Sequence, residues 1–296
     1  MKYTISQFKR DFPNDDACLD YIFKSRFGSI ICPKCGKSSF YRVKGRKAYA
    51  CQCGYQVSIV SRTIFHKSDT SLTNWFFAVY LMSQSKNGTS AKEIQRHLGT
   101  TYKTAWRIAK LIRSLMEQDS KMLGGVVEAD ETFIGGKRRL ARKNHNKTPV
   151  VGMVERGGRI KLSKVPDIQT HTLLNLLRKN VKFGSRLITD DYVVYRKAPR
   201  IGLFHDKVNH SKKEYVRGDV FTNTIEGFFS QMKRSLDGTY HSVSIKHLQS
   251  YVDEFAFHYN QRFSYVSSFE TLLSRLCERQ GLEGQRMPVF PLKVSS

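Results

Sequence analysis

The stretch CPKCGKSSFYRVKGRKAYACQCG, residues 32–54, holds four of the six cysteines in two pairs. Each pair is followed by a glycine, which lets the backbone turn tightly around a metal ion. Residues 40–43 and 47–50 have the pattern of a β-hairpin that turns at Gly45. Two thiolate pairs joined by a hairpin predict a zinc ribbon. The predicted tetrahedral ligands of Zn²⁺ are Cys32, Cys35, Cys51 and Cys53.

The second cysteine pair is C-x-C, where C-x-x-C is usual, and this spacing leaves the geometry of its turn open. His66 is an alternative ligand, and four free thiols are the alternative to a metal site. The N-terminal residues lack the apolar core of a secretory signal. We therefore expect metal ligation in a reducing compartment, and not disulfides.

The charge balance predicts a polyanionic partner. The chain has 50 Lys and Arg against 25 Asp and Glu, a net charge of +25, and such an excess favours salt-dependent binding of nucleic acid. A merely basic surface is the alternative. The longest apolar run, residues 75–82, is far short of the roughly 20 residues that span a bilayer. We expect no membrane partner and a cytoplasmic location.

Beyond the cysteines, the apolar period becomes helical from Thr70. A capping box at residues 90–93 begins a short helix, Gly99 marks a turn, and a longer helix follows over residues 102–116. This order is typical of a helix-turn-helix, with a small helical bundle as the alternative. The residues expected to face DNA from the start of the second helix are Tyr102, Lys103, Thr104 and Arg107.

After Gly125 the pattern alternates between strands and helices, which predicts an α/β domain with the element order of ribonuclease H. Strands are expected at 126–133, 150–155, 159–165, 186–189 and 205–209, helices at 170–179, 222–236 and 245–260, and a basic loop at 137–147. Asp130 lies in the first of these strands, Asp190 at the end of a later one, and Glu226 in the first turn of a helix.

Three converging carboxylates can hold two Mg²⁺ or Mn²⁺ ions, because hard cations prefer oxygen ligands. Such a pair of ions supports in-line displacement at phosphorus. Lys233 and Arg234 flank Glu226 on the polar face of its helix, where they suit a phosphate backbone.

Several neighbouring residues offer alternatives to this triad. Glu131 and Asp191 are candidates for misassigned ligands, although adjacent strand residues face opposite ways. Glu128 shares the face of Asp130 and is a candidate helper. Glu226 also fits a capping box with Asn223.

The chain resembles the bacterial insertion-sequence transposases that carry an N-terminal zinc ribbon and an ISXO-like DDE catalytic domain. The matching stretches include CPKCG, EADETFIGGK, VVGMVERGG, LITDDYVVY, NTIEGFF and HYNQR. The resemblance implies a ribonuclease-H fold, the catalytic acids Asp130, Asp190 and Glu226, and zinc ligands at Cys32, Cys35 and Cys53, with Cys51 shifted from the usual position.

We therefore expect a metal-dependent DNA transposase that binds the terminal inverted repeats of its element as a homo-oligomer, cuts double-stranded DNA and joins the ends to target DNA. A non-catalytic DNA-binding regulator and a nuclease without strand transfer are the alternatives. The expected segments are 1–28 helical, 29–66 zinc ribbon, 67–120 helix-turn-helix, 121–265 catalytic domain and 266–296 C-terminal tail.

Overall fold

The computed structural model describes residues 2–28, 30–135, 147–208 and 216–278. The chain divides into two compact units. The first takes in the described residues of 1–85, 91–115 and 265–296, and the second those of 86–90 and 116–264. Most of the predicted basic loop, 137–147, lies outside the described residues.

The first unit combines a small sheet with six helices in its described part. Its elements are α1 (Ile5–Asp11), α2 (Asp15–Phe27), β1 (Phe40–Arg42), β2 (Ala48–Cys51), β3 (Gln56–Ser58), α3 (Leu72–Gln84), α4 (Ala91–Leu98), α5 (Tyr102–Ser114) and α9 (Ser268–Glu278). The N-terminal segment holds two helices, because Thr4 and Asn14 each cap a separate helix start.

The cysteine-rich region folds as an antiparallel sheet in the order β1-β2-β3. The predicted hairpin is confirmed, with Tyr41 opposite Ala50 and Gly45 in the left-handed conformation at φ 73°. The third strand, β3, was not predicted, since only three residues pair with β2 and such a short strand has no detectable alternation.

The apolar stripe of α3 is buried as its period predicts. Trp75, Phe76, Val79 and Met82 are fully buried. The short helix and the longer helix are confirmed as α4 and α5. Between them Gly99 has a φ of 62°, and the hydroxyl of Thr101 caps α5 by accepting the N–H of Thr104.

Within the segment expected as the C-terminal tail, 266–296, residues 268–278 form α9. This helix buries Phe269, Leu272, Leu273 and Leu276, a spacing of three and four residues that marks one helical face. The ring of Phe269 lies 4.6 Å from that of Tyr3. α9 is therefore part of the core of the first unit.

The second unit is built on a five-stranded sheet in the order β6-β5-β4-β7-β8. Its elements are β4 (Val126–Ile134), β5 (Thr148–Glu155), β6 (Ile160–Lys164), α6 (Thr170–Asn180), β7 (Arg186–Thr189), a 3₁₀ helix (Val193–Ile201), β8 (Phe204–Lys207), α7 (Asn223–Ser235) and α8 (Leu248–Asn260). β4, β5 and β6 pair antiparallel, whereas β7 and β8 run parallel to β4.

Both faces of this sheet are covered, and strand alternation sorts the residues between them. Val127 and Ala129 of β4 pack on one face in a cluster that includes Leu173 of α6 and Tyr195 of the 3₁₀ helix. The other face packs against α7 and α8, in a cluster that includes Ile225. In the described part of the chain no helix is long and apolar enough to cross a membrane.

Candidate metal centre and carboxylate site

The four predicted zinc ligands come together in the first unit. Their sulfur atoms all lie within 4.8 Å of one another, with 3.5 Å between Cys32 and Cys53 and 3.4 Å between Cys35 and Cys51. Tetrahedral Zn–S bonds of about 2.3 Å place sulfurs about 3.8 Å apart, so the quartet fits zinc. Desolvation raises the pKa of Cys32, but backbone N–H groups, including that of Lys34, outweigh it and lower this pKa to about 7.

The C-x-C pair makes a turn as tight as that of the C-x-x-C pair. The N–H of Gly36 donates to the carbonyl of Cys32 at 2.8 Å, and the N–H of Gly54 donates to the carbonyl of Cys51 at 2.9 Å. Both glycines are left-handed, at φ 72° and 84°. The shorter spacing therefore still brings both sulfurs of the second pair to the cluster.

The paired register of β4 and β7 leads toward Asp130 and Asp190. β4 and β7 are parallel, with Glu128 opposite Ile188. Continuing that register by two residues brings Asp130 level with Asp190, directly after the end of β7.

α7 covers the sheet face on which Asp130 lies. Gly152 pairs with Asp130 across β4 and β5, and a Cβ on this glycine would lie 2.6 Å from Cδ1 of Ile225. Glu226 follows Ile225, and its carboxylate accepts a 2.5 Å hydrogen bond from the hydroxyl of Thr222. The contact resembles the alternative in which Glu226 takes part in a capping box, but its partner is Thr222 and not Asn223.

Asp130 lies on the sheet face that α7 covers, Glu226 lies in the first turn of α7, and Asp190 directly follows β7. Their carboxylate oxygens are not gathered into one chelating set. In the residues that the structure describes, the four cysteines are the one group of three or more Cys, His, Asp and Glu with ligand atoms close enough to hold a metal ion. The carboxylate donors of Asp130, Asp190 and Glu226 nevertheless match the oxygen preference of Mg²⁺.

The two alternative ligands have partners of their own. Glu131 faces away from α7 and accepts a 2.5 Å hydrogen bond from the hydroxyl of Tyr195, and burial raises its pKa to about 7. Asp191 forms ion pairs with Lys207 and Arg196, and the bond to Lys207 is the main cause that lowers the pKa of Asp191.

Glu128 was expected as a helper of Asp130 and is instead fully buried. It is bound by Arg156 at 2.8 Å and by backbone N–H groups at the start of α7. Arg156 and Gly152 are functional candidates that the sequence analysis missed, although both lie in the quoted stretch VVGMVERGG. A glycine within an otherwise apolar strand was the available signal.

The predicted DNA-facing residues lie at exposed positions, apart from the half-buried Thr104. Tyr102 is 47% exposed, and the ammonium of Lys92 lies 5.0 Å from its ring centroid. Arg107 donates to the carbonyl of His66 at 3.1 Å, so His66 contributes a backbone contact here. Lys103 is exposed on α5, and Lys233 and Arg234 are exposed on α7.

Comparison with known proteins defines the class of this chain. Residues 122–260 match the ISXO2-like transposase domain, and residues 13–56 match the transposase zinc-ribbon domain. The chain therefore belongs to the insertion-sequence transposases that combine these two domains. The first match covers the carboxylate site, and the second covers the cysteine cluster.

Two relatives agree with this family. The chain is 26% identical over 251 residues to an uncharacterized protein in transposable element ISH50 of Halobacterium salinarum, covering 76% of this chain and 84% of the relative. It is 28% identical over 112 residues to an uncharacterized transposase-like protein of Haemophilus influenzae, covering 38% of this chain and 88% of the relative.

Among solved structures, a chain of the simian T-cell lymphotropic virus intasome in complex with PP2A regulatory subunit B56 gamma is similar at 10% identity. The similarity covers 74% of this chain and 80% of that chain, with a TM-score of 0.32.

Proposed function

We propose that this protein is a DNA transposase that cuts the ends of its own insertion sequence and joins them to target DNA in a reaction that depends on Mg²⁺ or Mn²⁺. The observation that carries the proposal is the parallel register of β4 and β7. Extended by two residues, it brings Asp130 of β4 level with Asp190, directly after β7, while α7, the helix of Glu226, covers the sheet face of Asp130. This arrangement lies within the match to the ISXO2-like transposase domain.

The sheet supports a ribonuclease-H-like catalytic domain. Its first three strands are antiparallel, and the next two join the far side of the first strand in parallel. Parallel strands present their carboxyl ends at one edge, where α/β proteins place their ligands. Asp190 directly follows the carboxyl end of β7, and the extended register puts Asp130 level with it on β4.

Asp130, Asp190 and Glu226 would hold the metal ions. When bound, two such ions activate the attacking oxygen and stabilise the leaving oxygen of an in-line displacement. The protein's own part is to fix these carboxylates and to hold the DNA strand near them, with the exposed Lys233 and Arg234 attracting its phosphates. To bind a metal ion, Glu226 would give up its hydrogen bond with Thr222.

The first unit would recognise the element. α4 and α5, joined at Gly99, supply a helix-turn-helix whose exposed face includes Tyr102 and Lys103, and the zinc ribbon lies in the same unit. Recognition of two ends and their joining to one target call for a homo-oligomer assembled on DNA.

A strand-transfer assay tests this function. Purified protein is incubated with Mg²⁺, a labelled duplex that carries an end of the element with its flanking DNA, and a supercoiled target plasmid. We expect cleavage at the end and labelled plasmid joined to it. Cleavage without joining would favour a nuclease, and end binding without cleavage would favour a DNA-binding regulator; either result contradicts the proposal.

A further inference from the structure

Glu128 is a fully buried carboxylate at the start of α7. Its Oε2 accepts the N–H groups of Thr224 at 2.9 Å and of Ile225 at 3.2 Å. Its Oε1 accepts the hydroxyl of Thr224 at 2.9 Å and Nε of Arg156 at 2.8 Å. Four hydrogen bonds satisfy the acceptor sites of this carboxylate, so its position is strongly determined.

These contacts replace an ordinary helix cap. The first N–H groups of a helix have no partner within the helix, and Thr222, at the N-cap of α7, makes no side-chain capping bond to them. The carboxylate of Glu128, which lies on β4, caps these N–H groups instead. Its negative charge also lies at the positive end of the helix dipole.

Arg156 completes the arrangement by binding the chain just before α7. Its two terminal nitrogens donate to the carbonyls of Asp219 at 2.6 Å and Phe221 at 2.8 Å. Its guanidinium lies 3.7 Å from the ring centroid of Phe221. The backbone N–H of Arg156 donates to Val126 of β4 at 3.0 Å, so the arginine is itself anchored to the strand that carries Glu128.

We propose that the buried Glu128 and the partly exposed Arg156 form a positioning pair that fixes the first turn of α7, and with it Glu226, relative to Asp130. Glu128 lies two residues from Asp130 on the same strand and face, and Ile225, which it binds, directly precedes Glu226. One rigid strand thus carries a proposed metal ligand and the anchor of the helix that carries another. The role assigned to Glu226 rests on the proposed function.

Hydrogen–deuterium exchange of the full-length protein tests the anchor. In Glu128→Gln an amide of the same size faces the Nε–H of Arg156, so donor meets donor. We expect exchange of the amides of residues 223–228 to rise about 10- to 100-fold, the equivalent of a lost hydrogen bond to a charged group, while α8 stays protected.

The matched control is Arg159→Gln, because Arg159 lies in the same β5–β6 hairpin as Arg156. This change breaks the 2.7 Å ion pair between Arg159 and Asp119 and removes no contact with α7. We expect its exchange over residues 223–228 to equal that of the wild type. Unchanged exchange in Glu128→Gln, or an equal rise in both variants, would overturn the proposal. Arg156→Lys is a milder variant, because lysine keeps the charge but cannot bind Glu128 and the carbonyls of Asp219 and Phe221 at the same time. It should give a smaller rise in exchange at the same amides.

Mn²⁺ affinity of the zinc-loaded protein tests the link to Glu226. Loss of a group that orients a metal ligand lowers metal affinity by about 10- to 100-fold. We expect Glu128→Gln and Glu226→Gln each to weaken Mn²⁺ binding, and the double variant to bind no more weakly than Glu226→Gln alone, because both changes remove one ligand. Fully additive losses would show that Glu128 acts elsewhere and would overturn the link.

Neither measurement uses DNA, so their outcome is separable from that of the proposed function. A wild-type protein that cleaves no element end refutes the transposase activity. The exchange of α7 in Glu128→Gln still decides whether the pair holds this helix.

Discussion

Replacing Gly152 with alanine tests how closely α7 must approach the sheet beside Asp130. A Cβ at this position would lie 2.6 Å from Cδ1 of Ile225 and 2.7 Å from Cζ of Phe229. Ordinary carbon contacts are about 3.5–4.0 Å, so these groups must retreat by about 1 Å. Their exposures of 0% and 4% indicate that they are enclosed and cannot simply swing into solvent.

Overpacking of this kind costs about 1–3 kcal/mol of unfolding free energy. In a unit of this size each kcal/mol lowers the melting temperature by about 2–4 °C. A displacement of Glu226 by about 1 Å would reduce the cleavage rate by about 100-fold. Thermal unfolding and single-turnover cleavage of a labelled end measure the two effects on the same preparation.

Two further variants make this prediction refutable. Gly227→Ala is the glycine control on α7, because a Cβ there meets nothing within 4 Å, and it should hold or raise stability by up to about 1 kcal/mol. Ile225→Val removes the clashing Cδ1 and should recover part of the loss when combined with Gly152→Ala. Wild-type melting of Gly152→Ala, or no recovery in the double variant, would refute the close-packing argument.

Purified protein should contain about one Zn²⁺ per chain, and Cys35→Ser should lose it; elemental analysis that finds no zinc in wild-type protein prepared without chelators would contradict the site. Replacing Lys103 and Arg107 with alanine should weaken binding to the element end by about 1–3 kcal/mol more than binding to random DNA. Equal losses of affinity for the two DNAs in a binding assay would mean that these residues contact only phosphates. Burial raises the pKa of Asp253 above its ordinary 3.8, so the folded chain binds this proton more tightly than the unfolded chain does. The unfolding free energy of the wild type should therefore fall relative to that of Asp253→Asn as pH rises from about 4. A difference in unfolding free energy that is the same at all pH values would contradict this.

The regular elements were predictable where periodicity is local. The stripe of α3 and the hairpin between the cysteine pairs each follow from residue spacing within one segment. The 3₁₀ helix over Val193–Ile201 and the helix α9 were missed. The first has Pro199 within it, and the second lies in the segment expected as the C-terminal tail.

The site was predictable as a list of ligands but not as a set of contacts. Asp130 and Asp190 stand out because a basic chain has few acids, and one of these lies within a predicted strand and the other at the end of a later strand. The role of Glu128 depends on three segments that meet only in the folded unit: β4, the β5–β6 hairpin that carries Arg156, and the first turn of α7. Sequence spacing places Glu128 on the face of Asp130 and says nothing about which partner it meets there.

Cleavage of a labelled element end by single carboxylate variants tests the central claim most directly. Asp130→Asn, Asp190→Asn and Glu226→Gln should each abolish cleavage as fully as the triple variant, because ligands that act as a unit are not additive, while binding of the end survives. Asp191→Asn is the matched control, since its ion pairs with Lys207 and Arg196 direct it elsewhere, and it should retain cleavage. Cleavage that survives in Asp190→Asn and is lost in Asp191→Asn would contradict the account.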